Sequence, residues 1–328
     1  MDPQRLPGFL LRRIIKAAIV ILAIVVCNFF LIHAAPGDPA SVIAGQSGAA
    51  DERYLAQLRT QFGLDRPLLE QLWIYVRGVL TLDLGYSHRQ QMGVAALIAQ
   101  RLPATLLLTG AAFVFAVVGG VTLGALAARR VGTWADSAIT VLALTFYATP
   151  IFWVGLMLVL LFSVVLGWLP SFGMNTVGAD YTGIVAVLDV GKHLILPALT
   201  LGLFYLAVYA RLTRATMLEV ADQDFVKTAR AKGVPEGRIL RRHILRNALL
   251  PVITLAGIQA GQLVGGSILV ETVFAWPGIG RLAFEALLAR DYPVLLGVFF
   301  CTSAMVVIFN IFTDLLYALV DPRVEVQG

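Results

Sequence analysis

The residues that could carry chemistry in this chain of 328 residues are few and far apart. The four histidines, His33, His88, His193 and His243, have no spacing that would gather them round a metal. Cys27 and Cys301 each sit inside an apolar run, where a thiol serves as a packing residue rather than a nucleophile or a disulfide partner. Gly191-Lys192-His193 lacks the upstream glycine and the following hydroxyl of a phosphate-binding loop, so no ATP is expected to bind to this chain. No carboxylate pair and no Ser/His/Asp grouping offers acid–base or nucleophilic catalysis. Gln259 and Gln262, inside an apolar run, can hydrogen-bond a passing amide or a neighbouring helix. Glu271 and Asp314 lie towards the ends of theirs, so no carboxylate marks the middle of a run as an ion or proton pathway. The chemistry left to this chain is that of holding and moving something.

The elements that must do this are apolar. Hydrophobic residues make up 59% of the chain and charged residues 14%, with a mean hydropathy of +0.82. A soluble domain has about a quarter of its residues charged, so the composition points to lipid rather than to a water-facing surface. A bilayer crossing needs about 20 apolar residues. Six segments qualify: Ile14–His33, Thr105–Ala128, Ile139–Leu166, Leu194–Leu212, Leu250–Val273 and Val294–Leu319. None alternates as the strands of a barrel would. An all-α integral membrane protein with six transmembrane helices is therefore expected, the first being a retained signal-anchor. Pro103, Pro197, Pro251 and Pro293 read as first-turn prolines. Pro150 interrupts the third run and predicts a kink or a late helix start. Trp153, Trp168 and Trp276 fall near span ends, where interfacial aromatics belong.

The net charge of +5 does not ask for nucleic acid, because the basic residues flank apolar spans and face anionic lipid. Residues 1–16, Arg129–Asp136, Arg211–Asn247 and Arg323 hold sixteen of the 25 Lys and Arg on one side. By the positive-inside rule that side is cytoplasmic, and both termini with it. The organisation expected is residues 1–33 as cytoplasmic N-terminus and first helix, 34–100 as an extracytoplasmic region, 101–320 as the helical core with a loop at 213–249, and 321–328 as a cytoplasmic tail. Helices are predicted within the outer loops at Glu52–Phe62, Pro67–Leu80 and Arg281–Leu288. A Gly-rich loop is predicted over 167–193, and a turn at Trp276-Pro277-Gly278-Ile279-Gly280.

The loop between the fourth and fifth spans is the informative one. Asp222 or Asp224 can cap a first helix, Gly233 can end it in the left-handed conformation, and Pro235 can open a second. That second helix, Ile239–Leu249, mixes apolar residues with Arg241, Arg242 and Arg246 and suits a membrane surface. The first is rich in small residues, with Phe225, Thr228 and Ala229 on one side, and is shaped to sit in a groove on another protein. A basic membrane-surface loop with no partner is the alternative. In the fifth span Gly257, Gly261 and Gly265 make a smooth strip at four-residue spacing, for packing inside the bundle or beside a translocation path. Gly120 and Gly124 make a second strip with a packing role.

Thr228-Ala229-Arg230-Ala231-Lys232-Gly233, followed by Leu249-Leu250-Pro251, resembles the signature loop of bacterial ABC importer permeases. Phe62 to Leu68, Asp83-Leu84-Gly85 with Ser87, Trp168-Leu169-Pro170, Thr272 to Gly280 and Tyr317 to Arg323 resemble the dipeptide/oligopeptide/nickel permeases of that family, nearly end to end. Leu82 departs from the glycine usual before that aspartate, and Phe146–Thr149 from the Ser or Pro common before Pro150.

The resemblance implies the type I ABC importer permease fold and a subunit without ATPase motifs. It implies a coupling helix built on Phe225, Thr228, Ala229, Arg230, Ala231, Lys232, Gly233 and Pro251 that docks on an ATPase subunit. The partners implied are two ATPase subunits, which bind ATP and Mg, a second homologous permease, an extracytoplasmic substrate-binding protein and the lipid of the bacterial inner membrane. No nucleic acid is implied. Short peptides are the cargo favoured over nickel complexes or glutathione. An ion-coupled secondary transporter is the competing class.

Overall fold

The computed structural model describes residues 6–34, 52–61 and 64–320. Phe62, Gly63 and the tail from Asp321 to Arg323, which carry part of the family resemblance, lie outside the described residues, as does the side chain of Asp314. Among the described residues the regular structure is helical apart from a two-strand hairpin, Tyr86–Ser87 paired antiparallel with Met92–Gly93. Its helices are α1 (Leu6–Ala34), α2 (Glu52–Gln61), α3 (Leu68–Thr81), α4 (Val94–Arg129), α5 (Trp134–Ala148), α6 (Ile151–Leu158), α7 (Gly183–Ala221), α8 (Asp224–Ala231), α9 (Glu236–Arg238), α10 (Arg246–Val273), α11 (Ile279–Ala289) and α12 (Tyr292–Val320). π-helical turns follow α6 at Val159–Val165 and precede α10 at Ile239–Leu245.

Among the described residues, four stretches are long and apolar enough to cross a membrane: Val94–Arg129, Gly183–Ala221, Glu236–Leu263 and Tyr292–Ile311. A fifth results if the pair Trp134–Ala148 and Ile151–Val165, bent by 110°, is one span. Within α1, Leu6–Ala34, the unbroken stretch whose side chains are described is the apolar Ile15–Leu31, so four or five of the expected six spans are found among the described residues. The break at Pro150 falls where the sequence places it. α5 ends at Ala148, and the Pro150 carbonyl accepts from the N–H groups of Trp153 and Val154 at 3.0 and 3.2 Å to open α6.

Three prolines depart from expectation. Pro103, Pro197 and Pro251 stand inside α4, α7 and α10 rather than in first turns. Hydropathy marks the lipid-embedded core of a helix, but the backbone keeps its ladder well beyond that core. A proline then costs one internal bond, which a membrane helix tolerates among neighbours. Pro293 does stand in the first turn of α12. For the same reason the Gly-rich loop is shorter than expected, because α7 already begins at Gly183.

The chain divides into two compact units. In the first (residues 1–104 and 278–311), α1 packs on α3. Phe29 stacks on Tyr75 at 6.0 Å between ring centres, and His33 Nε2 lies 3.2 Å from Gln71 Oε1. Burial pushes the Tyr75 hydroxyl up to about 12, and that neutral hydroxyl donates to the Leu296 carbonyl at 3.2 Å. Ser87 in the hairpin donates to Asp291 at 2.5 Å. α11 turns Ile279, Leu282, Ala283 and Ala286 inward.

In the second unit (residues 105–277 and 312–328), α7 is the central helix, with α5, α6 and α10 packed on it. α4 comes close to α7 at glycines: a Cβ on Gly120 would stand 2.5 Å from Tyr209 Cβ, and one on Gly124 2.5 Å from the Ala210 carbonyl oxygen. These two have the packing role their spacing suggests. Trp276 corrects an expectation, since it is wholly buried rather than interfacial. Ala275, at φ +50°, turns the chain there, and the Trp276 N–H donates to the Glu271 carbonyl at 2.8 Å. Cys27 is exposed and Cys301 half-buried; both are free thiols.

Candidate functional site

The loop that joins α7 to α10 is built from its local signals upward. Gln223, not Asp222 or Asp224, is the residue before the first helical turn, and no side chain caps it. Its extended backbone (ψ 148°) leaves its carbonyl to accept from the Val226 and Lys227 N–H groups at 3.0 and 3.2 Å. Asp224 is the first residue of α8, where a carboxylate favours the positive end of the helix dipole. α8 ends as expected at Gly233, at φ +74°. That conformation lets the Gly233 N–H reach the Arg230 carbonyl at 2.9 Å and the Val234 N–H reach Ala229 at 3.2 Å. Pro235 then stands directly before α9. Arg230 pairs with Glu236 across the turn at 2.9 Å.

One face of α8 is sealed. Val226 and Ala229 join Met217 of α7, Ile239 and Ile244 of the π-helical turn and Ala248 of α10 in a buried cluster, with Ala125 and Ala128 of α4 packed against it. Deeper in the same unit Thr216 donates to the Ala248 carbonyl at 3.1 Å, so α7 and α10 are also bonded directly. Ala229 is thus part of the base. It faces inward and is not on the outward face with Phe225 and Thr228 where the sequence puts it.

The other face is open. Phe225 is 45% exposed, and Thr228, Arg230, Ala231, Lys232 and Gly233 are exposed with it. Pro251 is exposed within α10 and is not part of the cluster. The second helix of the loop does not stop at Pro251, as the sequence suggests, but runs through the π-helical turn into α10. The whole is an aromatic knob on a short helix whose base is keyed into α4, α7 and α10.

Further from the loop, Arg214 of α7 grips Asp136 of α5 with two donors, at 2.6 and 2.8 Å, and Asp136 also accepts from the Gly132 N–H at 3.1 Å. The sequence reading missed this pair, which lies 78 residues apart, and no local spacing could have found it. It equally missed Val226 and Met217. Val226 and Ala229, three apart on α8, were the available signal for an inward face.

The candidate path residues on α10 separate. Thr313 packs directly on Gly257, and its hydroxyl donates to the Gly257 carbonyl at 3.0 Å. Gly261 is buried, and Gly265 is exposed with no atom within 4 Å of where its Cβ would be. Gln262 is exposed, while the Gln259 Oε1 is buried without a partner among the described residues. The strip is therefore packing at Gly257 and open surface at Gly265. Glu271, nearer the end of α10, is fully buried and accepts from Thr105 Oγ1 at 2.7 Å and Ser267 Oγ at 3.0 Å.

Residues 120–326 match the family described as the binding-protein-dependent transport system inner membrane component, and residues 6–109 match its N-terminal companion. The chain is 40% identical to the dipeptide transport system permease protein DppB of Escherichia coli (strain K12), over 97% of this chain and 98% of that one. It is 39% identical to DppB of Alkalihalophilus pseudofirmus, over 97% and 99%. It is 41% identical to a putative peptide permease protein of Brucella ovis, over 97% and 99%. Among solved structures, a chain of the MetNI methionine ABC transporter in inward-facing form shares the fold, with a TM-score of 0.51 and 20% identity over 69% of this chain and 96% of that chain.

Proposed function

The chain belongs to the binding-protein-dependent transport system inner membrane component family, and from that membership we propose that it is the permease subunit of an ATP-driven importer of short peptides. The observation that carries this reading is the exposed Phe225 on a helix whose opposite face is locked into α4, α7 and α10. A peptide cargo is supported by the full-length similarity to dipeptide permeases.

The partners that suit this arrangement are two ATPase subunits on the side of α8, a second permease, and a substrate-binding protein on the far side of the membrane. With nine basic residues in Arg211–Asn247, the loop belongs in the cytoplasm, and so do both termini. ATP and Mg belong to the ATPases. When the ATPase pair closes, α8 moves with it. The cluster of Val226, Ala229, Met217, Ile239, Ile244 and Ala248 hands that displacement to α7 and α10 as one body. A closed pair that prefers one permease shape by about 5.5 kcal/mol reverses the population from 1:99 to 99:1. The path then opens to the other side.

Uptake of labelled dipeptides and longer peptides by cells with and without this gene tests the cargo. Unchanged peptide uptake beside altered uptake of nickel complexes or glutathione would move the cargo and leave the machine. Purification of the tagged chain from membranes tests the machine, since an importer subunit retains its ATPase and an ion-coupled transporter does not.

A further inference from the structure

Beside the base of α8 lies a cavity of about 420 Å³ lined by Arg129, Gly237, Arg238, Leu240, Arg241 and Arg242. We propose that this cavity is a binding site for a phosphate group, carried either by an anionic phospholipid headgroup or by a soluble phosphate or pyrophosphate. Its size falls in the range of roughly 300–1,000 Å³ common to small-ligand sites.

The lining comes from two elements. Arg129 is the last residue of α4, directly after Ala128, which packs on the α8 base. Arg238, Arg241 and Arg242 stand where α9 passes into the π-helical turn, and all three line the same opening. That turn is anchored from beneath by Ile239 and Ile244, both buried in the cluster. The cavity is thus framed by backbone that other residues hold in place.

Four exposed arginines line this open space, and no acidic residue does. Among the described residues none of the four is in a salt bridge, although Arg214 and Arg230 nearby in sequence each have a carboxylate partner. Gathered like charges repel, and a bound anion relieves them. Guanidinium forks match phosphate oxygens two at a time and are weakly hydrated, so they bind phosphate better than a point charge does. Leu240 supplies the single apolar wall, on which an acyl or glycerol edge can rest. Basic residues beside membrane spans meet anionic lipid at the cytoplasmic leaflet. The site requires nothing of the transported cargo.

The test uses the full-length chain in nanodiscs at about 0.15 M salt, where diffuse attraction is screened within about 8 Å. In one arm the nanodiscs are of phosphatidylcholine and pyrophosphate is titrated. In the other they are doped with phosphatidylglycerol, and bound lipid is counted by native mass spectrometry. Arg241→Gln/Arg242→Gln is compared with Arg130→Gln/Lys227→Gln, which removes the same charge from residues that do not line the cavity. The expected result is binding by the wild type in at least one arm. There it weakens by about tenfold or more in the cavity variant and less than about twofold in the control. Pyrophosphate binding identifies the free anion, and retention of phosphatidylglycerol alone identifies the headgroup. Arg241→Lys/Arg242→Lys, which keeps the charge, should fall between, and this separates a lost fork from a lost fold. Equal loss in cavity and control variants, or no binding in either arm, overturns the site. So does normal anion binding by a cavity variant that no longer co-purifies with the ATPase, which would make the arginines a protein-docking surface.

Discussion

Phe225 and Val226 are neighbours on α8 with opposite surroundings: the phenylalanine is 45% exposed and the valine not at all. A large apolar ring left nearly half exposed beside a sealed valine is costly unless something else covers it. Phe225→Ala should therefore leave the chain folded and inserted in the membrane, because Phe225 is not part of the buried cluster of the base. It should weaken ATPase retention by about 30-fold or more if the ring is an interface hot spot worth about 2 kcal/mol. Co-purification at matched membrane yield measures this, and full retention would show that the ring is not the docking point.

Substitutions on the other face should fail differently. Ala229→Glu places a carboxylate among Met217, Ile239 and Ile244, with no cation in the cluster. An unpaired buried charge costs several kcal/mol, so the loop should open, with faster proteolysis near residue 230 and a lower yield. Val226→Asp should match it. If either variant kept its yield and lost only transport, the inward orientation would be wrong.

Gly233 separates backbone from contact. At φ +74° a side chain is strained, yet no atom lies within 4 Å of where its Cβ would stand. Gly233→Val should thus cost about 1–3 kcal/mol through conformation alone. Gly233→Asn should cost less, because Asn visits the left-handed region more readily. Thermal unfolding of the two variants should rank them in that order, and equal costs would point to a steric cause instead.

These contrasts show what the sequence could and could not carry. The end of α8 at Gly233, the break at Pro150 and the turn round Trp276 were legible because each depends on one residue's backbone preference. The inward turn of Ala229 was not. Its partners, Ile239 and Ile244, come ten and more residues later, and alanine is small enough for either face. Helix lengths were under-read for a different reason. Hydropathy reports the lipid-facing middle of α7, whereas the backbone ladder begins at Gly183 and passes Pro197 without breaking. The Asp136–Arg214 pair joins two helices through charges that lie outside any motif.

That pair gives a further test. Asp136 is 7% exposed at its side chain, and Arg214 reaches it with two donors. Asp136→Asn removes the charge on one side and leaves the guanidinium partly buried. Hydrogen bonds to charged groups contribute about 1.5–3 kcal/mol, so thermal unfolding should shift down clearly. Arg214→Lys should lose part of this, since a single ammonium cannot span both oxygens. Because α7 leads into α8 ten residues later, a loosened α5 should also raise ATP hydrolysis per peptide moved in the assembled transporter. Unchanged stability in Asp136→Asn would mean that packing alone holds α5 on α7.

The glycines of α10 offer the sharpest contrast, because two with the same spacing signal have opposite surroundings. At Gly257 the methyl of Thr313 already fills the space of a Cβ, and the Thr313 hydroxyl bonds to the Gly257 carbonyl. Gly257→Ala must push α12 away from α10, an overpacking that costs about 1–3 kcal/mol. Thr313→Ser removes the obstructing methyl and keeps the hydroxyl, so it should recover most of that loss in the double variant. Gly265→Ala meets nothing within 4 Å, and a mid-helix alanine is favoured over glycine by about 1 kcal/mol. It should hold or raise the unfolding temperature. If the exposed face of Gly265 lies against the translocation path or a second permease in the assembled transporter, Gly265→Leu should cut peptide uptake while leaving the isolated chain stable. Full uptake by Gly265→Leu would assign that face to lipid.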